Sequence, residues 1–67
     1  MLELAINGEN RRFPNALTVS ELTDELGLTG KRIAVEVNGE IVPKSQHGTT
    51  RLASGDRLEI VVAVGGG

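Results

Sequence analysis

The sequence contains no cysteine, tryptophan or tyrosine, and Phe13 is its single aromatic residue. Without cysteine, the chain can form neither disulfides nor thiolate metal sites, and it has no cysteine nucleophile. Its formal charge is −2, whereas nucleic-acid-binding domains normally have a basic surface, often with aromatic side chains that stack on bases. We therefore expect no nucleic-acid partner.

Long apolar runs are also missing. No apolar stretch approaches the roughly 20 residues that are needed to cross a bilayer, and no cationic, apolar leader opens the chain. From these absences we expect a cytoplasmic protein without a membrane partner. The 67 residues suffice for one small domain, of a size that buries only about 60% of the surface that its unfolded chain exposes.

Patterns typical of catalysis and metal binding are absent as well. His47 is the only histidine, and no serine or carboxylate stands near it at a catalytic spacing, so we interpret it as a solvated loop residue. The acidic pair Asp24 and Glu25 belongs to a predicted helix surface, where solvation explains it. The chain also lacks the glycine-rich patterns that bind phosphates. We expect a protein that is not itself an enzyme and that binds no metal or cofactor.

Two Asn-Gly pairs, at 7–8 and 38–39, predict two β-hairpins. Both central residues of a type I′ turn need positive φ, which asparagine and glycine adopt most readily. Before each pair, at 2–6 and 33–37, apolar residues alternate with polar or small ones, as in a strand with one buried face. The first pair should turn the chain into a strand that ends near Phe13, and the second into another short strand.

Between the two hairpins, Thr18 and Glu21 form the pattern of a capping box, so a helix should begin here. Gly27 is predicted to be the left-handed residue past its end. One face of the helix has apolar residues at helical spacing: Val19, Leu22 and Leu26. A polar, irregular segment at 44–51 and a turn at 54–56 then lead into the final strand.

The final strand is the most apolar run of the chain. We predict that one face has Leu58, Ile60, Val62 and Val64, and the other Arg57, Glu59, Val61 and Ala63. One helix on one face of a mixed sheet of about five strands is the α+β arrangement called β-grasp or ubiquitin-like. Because the first and last strands are the most apolar, we expect them to be central, parallel neighbours. The domain should comprise residues 1–64, followed by a flexible tail at 65–67.

The open face of this sheet is predicted to have small apolar residues where polar ones are normal: Ala5, Ala34, Val61 and Ala63. We interpret them as a partner-docking surface, because two of them lie on the strand that leads to the tail. The alternative is that they are ordinary isolated apolar residues of a protein surface.

The sequence ends on three glycines, Gly65, Gly66 and Gly67. Because glycine has no Cβ, such a tail fits backbone channels that any side chain would block. It would therefore suit the presentation of a terminal carboxylate to another protein's active site. Glycine-rich ends also occur as spacers or linker remnants, and composition alone leaves both interpretations open.

Several segments match one known family: the turn at 7–9, the segment at 34–38, the run Ile-Val-Pro-Lys-Ser-Gln at 41–46, the turn at 54–56 and the Gly-Gly end. Together they resemble the ThiS family of sulfur-carrier proteins of thiamine biosynthesis, over nearly the whole chain. The run at 41–46 is the most specific of these matches, whereas a Gly-Gly end alone is common to several carriers.

The resemblance implies a β-grasp carrier whose terminal residue, Gly67, is adenylated by an E1-like enzyme of the ThiF type that consumes ATP. A sulfur-donor system such as cysteine desulfurase would then convert it to a thiocarboxylate, which donates sulfur to a thiazole synthase of the ThiG type. Gly66 and Gly67 match the diglycine motif of the family, and Gly65 lies beyond it.

Three other functions remain open. The small subunit of molybdopterin synthase shares the fold and the activation chemistry, but such chains are usually longer and richer in phenylalanine. A ubiquitin-like modifier would be found joined to lysines of other proteins. A non-covalent β-grasp binding module would keep its activity after loss of Gly66 and Gly67.

Overall fold

The computed structural model of the protein describes residues 1–63. In chain order its elements are β1 (Leu2–Ile6), β2 (Glu9–Phe13), α1 (Val19–Glu25), β3 (Ile33–Val37), β4 (Glu40–Val42), a 3₁₀ turn (Lys44–Gln46) and β5 (Arg57–Val62). They form one mixed sheet in the order β2-β1-β5-β3-β4, with β1 and β5 parallel at its centre. This confirms the predicted β-grasp architecture, whereas the proposed domain end at 64 and the tail at 65–67 lie outside the described residues.

Both Asn-Gly pairs form the predicted two-residue turns. Asn7 and Gly8 have φ of +50° and +84°, and Asn38 and Gly39 have φ of +53° and +86°. Positive φ at both central positions gives a type I′ turn, whose twist matches that of the flanking strands. The local sequence therefore favours the two hairpins β1–β2 and β3–β4 independently of any contact between them.

Asn7 does more than turn the chain, because its side chain extends the sheet. β1 ends at Ile6, which pairs with Leu58 of β5. Beyond that point the side-chain amide of Asn7 makes the hydrogen bonds that a further residue of β1 would make. Its Nδ2 donates to the carbonyl of Ile60 at 3.1 Å, and its Oδ1 accepts from the Ile60 backbone amide at 2.8 Å. The next backbone groups of β5 are thus hydrogen-bonded although β1 has ended.

Asn38 holds the other end of β5 in a similar way. Its Oδ1 accepts from the backbone amide of Arg57 at 2.9 Å, and its Nδ2 donates to Oδ1 of Asp56 at 3.0 Å. Asp56 also accepts from the amide of Ala53 at 2.9 Å, which orders the turn that precedes β5. Each hairpin turn therefore contributes one asparagine side chain to the central strand.

The helix α1 begins at the predicted cap. The Glu21 amide donates to Thr18 Oγ1 at 3.1 Å, and the Thr18 amide donates to Glu21 Oε1 at 2.9 Å. The left-handed residue past its end is Gly27, with φ of +74°. Val19 and Leu22 are fully buried against the sheet. The core comprises ten buried apolar residues: Leu2, Leu4, Ile6, Phe13, Val19, Leu22, Val35, Leu52, Leu58 and Ile60.

The interpretation of His47 as a solvated loop residue was wrong. His47 is half-buried, its Nε2 lies 3.0 Å from the carbonyl oxygen of Val42, and its own carbonyl accepts from the Ser20 amide at 2.9 Å. It thus connects the end of β4 to the first turn of α1. The segment at 44–51 is also more regular than predicted, since it begins with the 3₁₀ turn and ends in a single β-bridge between Arg51 and Thr18.

Val62 was predicted to share the buried face of β5, but it is 39% exposed. Val62 lies beyond Leu58, the last residue of β5 that pairs with β1, and it borders a shallow open cleft with Leu26 and Leu28. Val64, which was predicted for the same face, lies outside the described residues.

We predict that Asn7→Gly lowers the free energy of unfolding by about 1–3 kcal/mol, because it leaves the amide and carbonyl of Ile60 without their partner. Glycine accepts the positive φ of this position without strain, so the measurement isolates the lost amide. The control is Asn15→Gly in the exposed loop after β2, which introduces the same backbone freedom. Equal losses for the two variants in urea unfolding would contradict the role of Asn7.

Removing the helix cap should also lower the free energy of unfolding by a measurable amount. Thr18→Ala should lower the free energy of unfolding by about 1 kcal/mol, because the Glu21 amide loses its acceptor. Ser45→Ala, at an exposed position of the 3₁₀ turn, should stay within about 0.5 kcal/mol of the unmodified protein. If chemical denaturation gave the same midpoint for all three proteins, the capping box would not stabilise the helix.

Candidate functional site

The central strand β5 is the last element of the described chain. It is hydrogen-bonded to β1 and β3, and its successor Ala63 still donates its amide to the carbonyl of Arg32 at 2.9 Å. The last described residue is therefore fastened to the backbone just before β3. Gly65, Gly66 and Gly67, on which the tail prediction rests, lie outside the described residues.

Three of the four predicted docking residues lie together on the open face. Ala34 of β3 stands directly opposite Val61 of β5, and Val61 is 61% exposed. Ala63 is exposed and lies two residues further along the chain, on the same side by strand periodicity. The end of β5 thus has a small apolar surface next to the point where the described chain ends.

The fourth predicted residue, Ala5, is separated from the others. It pairs with Arg57, four residues before Val61, which corresponds to about 13 Å along the strand. It is half-buried and borders a different shallow cleft, beside Ser54 and Gly55. The pattern gave the correct face for Ala5, but the register between β1 and β5 displaces it from the end of β5.

Ile41, the most exposed aliphatic residue of the strands, was not predicted to belong to the open face. Ile41 is 72% exposed and stands opposite Glu36 on the open face. Because β4 is only three residues long, its alternation was too short to assign a face. We define the apolar patch as Ala34, Ile41, Val61 and Ala63.

The open face also has two carboxylates opposite each other, Glu36 of β3 and Glu59 of β5. On the side of α1, a cleft of about 540 Å³ is bordered by three cations and one carboxylate: Lys31, Arg32, Lys44 and Asp24.

Residues 1–63 contain no candidate metal site. Among them, no three His, Asp or Glu side chains converge so as to hold a metal ion. Nor does that part of the chain contain a helix of the length and apolar character required to cross a membrane. The arrangement instead offers a contact surface at the end of a firmly held central strand.

Comparison with known proteins identifies the family. A sequence model of the ThiS family matches residues 4–67. The chain belongs to the ThiS family. In structure it is similar to the thiamine biosynthesis protein ThiS of Geobacter metallireducens, with a TM-score of 0.83 and 29% identity over 98% of this chain and 100% of that one.

Relatives of this ThiS-family chain include much longer proteins. It is 48% identical over 66 residues to a thiazole synthase of Paramagnetospirillum magneticum, a match that covers 98% of this chain but 20% of that protein. It is also 32% identical to the uncharacterized protein ycf40 of Porphyra purpurea, over 98% of this chain and 93% of that one. The chain thus spans about a fifth of one relative and nearly all of the other.

The apolar patch should contribute little to folding. Val61→Thr, which keeps a β-branched shape at an exposed position, should change the free energy of unfolding by less than about 0.5 kcal/mol. Leu58→Ala, three residues earlier in the same strand and 2% exposed, should cost about 2–5 kcal/mol. A large loss for Val61→Thr in urea unfolding would show that Val61 serves the core rather than an interface.

Proposed function

We propose that this chain is a sulfur carrier for thiazole formation in thiamine biosynthesis. The observation that carries the proposal is the match to the ThiS family, which runs through Gly67. Two further observations support it: the structural likeness to a thiamine biosynthesis protein, and the position of β5, whose central place in the sheet provides a rigid base for a glycine tail.

In this proposal Gly67 supplies the reacting group and the chain itself performs no catalysis. A carboxylate is anionic and resonance-stabilised, so it is a poor electrophile. An E1-like adenylating enzyme of the ThiF type would join it to the α-phosphate of ATP, with pyrophosphate leaving. The acyl adenylate then has AMP as a good leaving group. The terminal sulfur of a donor persulfide, such as that of a cysteine desulfurase, can displace AMP to give an acyl disulfide, and a thiol reductant then cleaves the S–S bond to release the thiocarboxylate.

Glycine suits this chemistry at both terminal positions. Without a Cβ, Gly66 and Gly67 can pass through a channel only as wide as the backbone, and the carbonyl carbon of Gly67 is open to attack. Gly65 would add one residue of reach, up to about 3.5 Å. The carrier, by this account, needs no bound cofactor, since ATP is consumed by the activating enzyme.

The proposed acceptor of the sulfur is a thiazole synthase of the ThiG type. Support comes from two relatives that are themselves named thiazole synthase and in which this domain makes up 20% of the protein. Joining a donor domain to an enzyme raises the effective concentration of the donor at that enzyme, which is useful where the two parts act in sequence.

The apolar patch is the surface that we propose for docking on these partners. Val61 and Ala63 lie on the segment that leads towards the tail, and Ala34 stands beside Val61. Contact there would hold the base of the tail close to the partner's active site. Ala5 is left out of the proposed surface because it is half-buried and lies about 13 Å from Val61 along β5.

One added residue tests the chemistry. An alanine placed after Gly67 puts its carbonyl into an ordinary peptide bond and moves the free acid to a residue with a Cβ. We therefore predict that sulfur incorporation is lost, because the Cβ of the added alanine would block a channel only as wide as the backbone. Incorporation is measured by intact-mass analysis after incubation with adenylating enzyme, ATP and the sulfur donor.

The matched control inserts one glycine before Gly65, which lengthens the chain equally but keeps a free glycine acid at its end. It should retain most of the incorporation and the same thermal unfolding midpoint. Equal incorporation in the alanine-extended protein would contradict the proposal. If covalent conjugates with cellular proteins formed instead, the modifier alternative would be favoured.

A further inference from the structure

Glu36 and Glu59 are the one pair of like charges in the strand register of the described sheet. They are opposite each other in the antiparallel pair β3–β5. Two pairs away on one side, the Asn38 amide donates to the Arg57 carbonyl at 2.7 Å, and four pairs away on the other side the Ala63 amide donates to the Arg32 carbonyl at 2.9 Å. Because such bonds alternate, Glu36 and Glu59 occupy a hydrogen-bonded pair, with Cα atoms about 5.5 Å apart. Like charges at this spacing destabilise a sheet.

Within residues 1–63, no cation lies within 4.0 Å of either carboxylate: the single ion pair at that distance joins Arg12 Nε to Glu3 Oε2, at the β1–β2 edge of the same face. The neighbour of Glu36 on β4 is Ile41. On the other side of Glu59, β1 has already ended at Ile6, opposite Leu58. The pair of glutamates thus disfavours folding. Residues that disfavour folding are expected on a surface that serves binding.

Arg57, two residues before Glu59, is on the same face by strand periodicity, and aliphatic side chains border the two carboxylates elsewhere. Ile41, 72% exposed, flanks Glu36, and Val61, 61% exposed, lies two residues after Glu59 on the same face. Ala34 pairs with Val61. A cation held between the carboxylates would therefore be partly screened from water by aliphatic side chains, which strengthens its attraction to them.

We propose that the open face docks on a partner protein that places one arginine or lysine side chain between Glu36 and Glu59, with aliphatic residues packed on the apolar patch. A second copy of this chain does not fit, because two such faces would bring four carboxylates together. Resting on the proposed function, we assign the partner as thiazole synthase, since relatives combine this domain with a protein of that name.

The test compares the binding of purified thiazole synthase from the same organism to the intact chain and to the double variant E36Q/E59Q. Glutamine keeps the shape of glutamate and removes both charges. The dissociation constant should rise about tenfold or more, and its dependence on salt concentration should become shallower. The thermal unfolding midpoint should stay the same or rise, because the repulsion within the sheet is gone.

Two control variants accompany the double variant. Glu25→Gln removes one exposed charge from α1 and should leave the affinity close to that of the unmodified chain. Ile41→Thr keeps both carboxylates but weakens the apolar surround, and it should weaken binding without reducing the salt dependence. Together they separate a general effect of net charge from an effect of this face.

An unchanged or lower dissociation constant for E36Q/E59Q would overturn the proposal. So would a loss of affinity confined to the adenylating enzyme, because the assigned partner would then be wrong. Sulfur incorporation at Gly67, measured on the same preparations, tests the proposed function separately. If the double variant incorporates sulfur and binds thiazole synthase normally, the docking proposal fails while the carrier function stands.

Discussion

The structure depends on how β5 is held in the centre of the sheet. This strand comes last in the chain, yet it lies between β1 and β3, so its place is fixed only by contacts distant in sequence. The two hairpin turns supply part of that fixation through Asn7 at Ile60 and Asn38 at Arg57. Each asparagine both allows the positive φ of its turn and provides an amide for the central strand. Local turn chemistry and long-range sheet order therefore rest on the same two residues.

Side chains of β5 alternate between the two faces of the sheet, which have different roles. Leu58 and Ile60 face α1 and belong to the core, whereas Glu59 and Val61 face the open side. Because the core side accounts for the buried apolar residues, the open side can have residues that do not favour folding. The opposed carboxylates and the exposed aliphatic side chains are found there, beside the end of the described chain. A small domain can thus keep a stable interior and reserve one face for contact.

Most of the architecture was predictable because its signals are local. An Asn-Gly pair or a capping box acts within a few residues, so Asn7, Asn38 and Thr18 could be assigned from the sequence alone. The features that escaped prediction depend on register between distant strands. The displacement of Ala5 and the pairing of Glu36 with Glu59 follow from where β1 ends along β5 and how β3 aligns with it. The interpretation of His47 as a solvated residue was wrong for a similar reason, since its hydrogen-bond partners lie on β4 and α1, distant from the loop pattern.

Membership in the ThiS family, the β-grasp sheet and the central position of β5 support the proposed function, in which the domain presents Gly67 to other enzymes. The central claim of this proposal is that sulfur replaces one carboxylate oxygen of Gly67. The most direct measurement is top-down mass spectrometry of the native protein, isolated from cells that must make their own thiamine. The account predicts that a fraction of the molecules has sulfur in place of one oxygen at Gly67. A native chain that extends beyond this residue, or a terminal carboxylate that never acquires sulfur under thiamine demand, would contradict it.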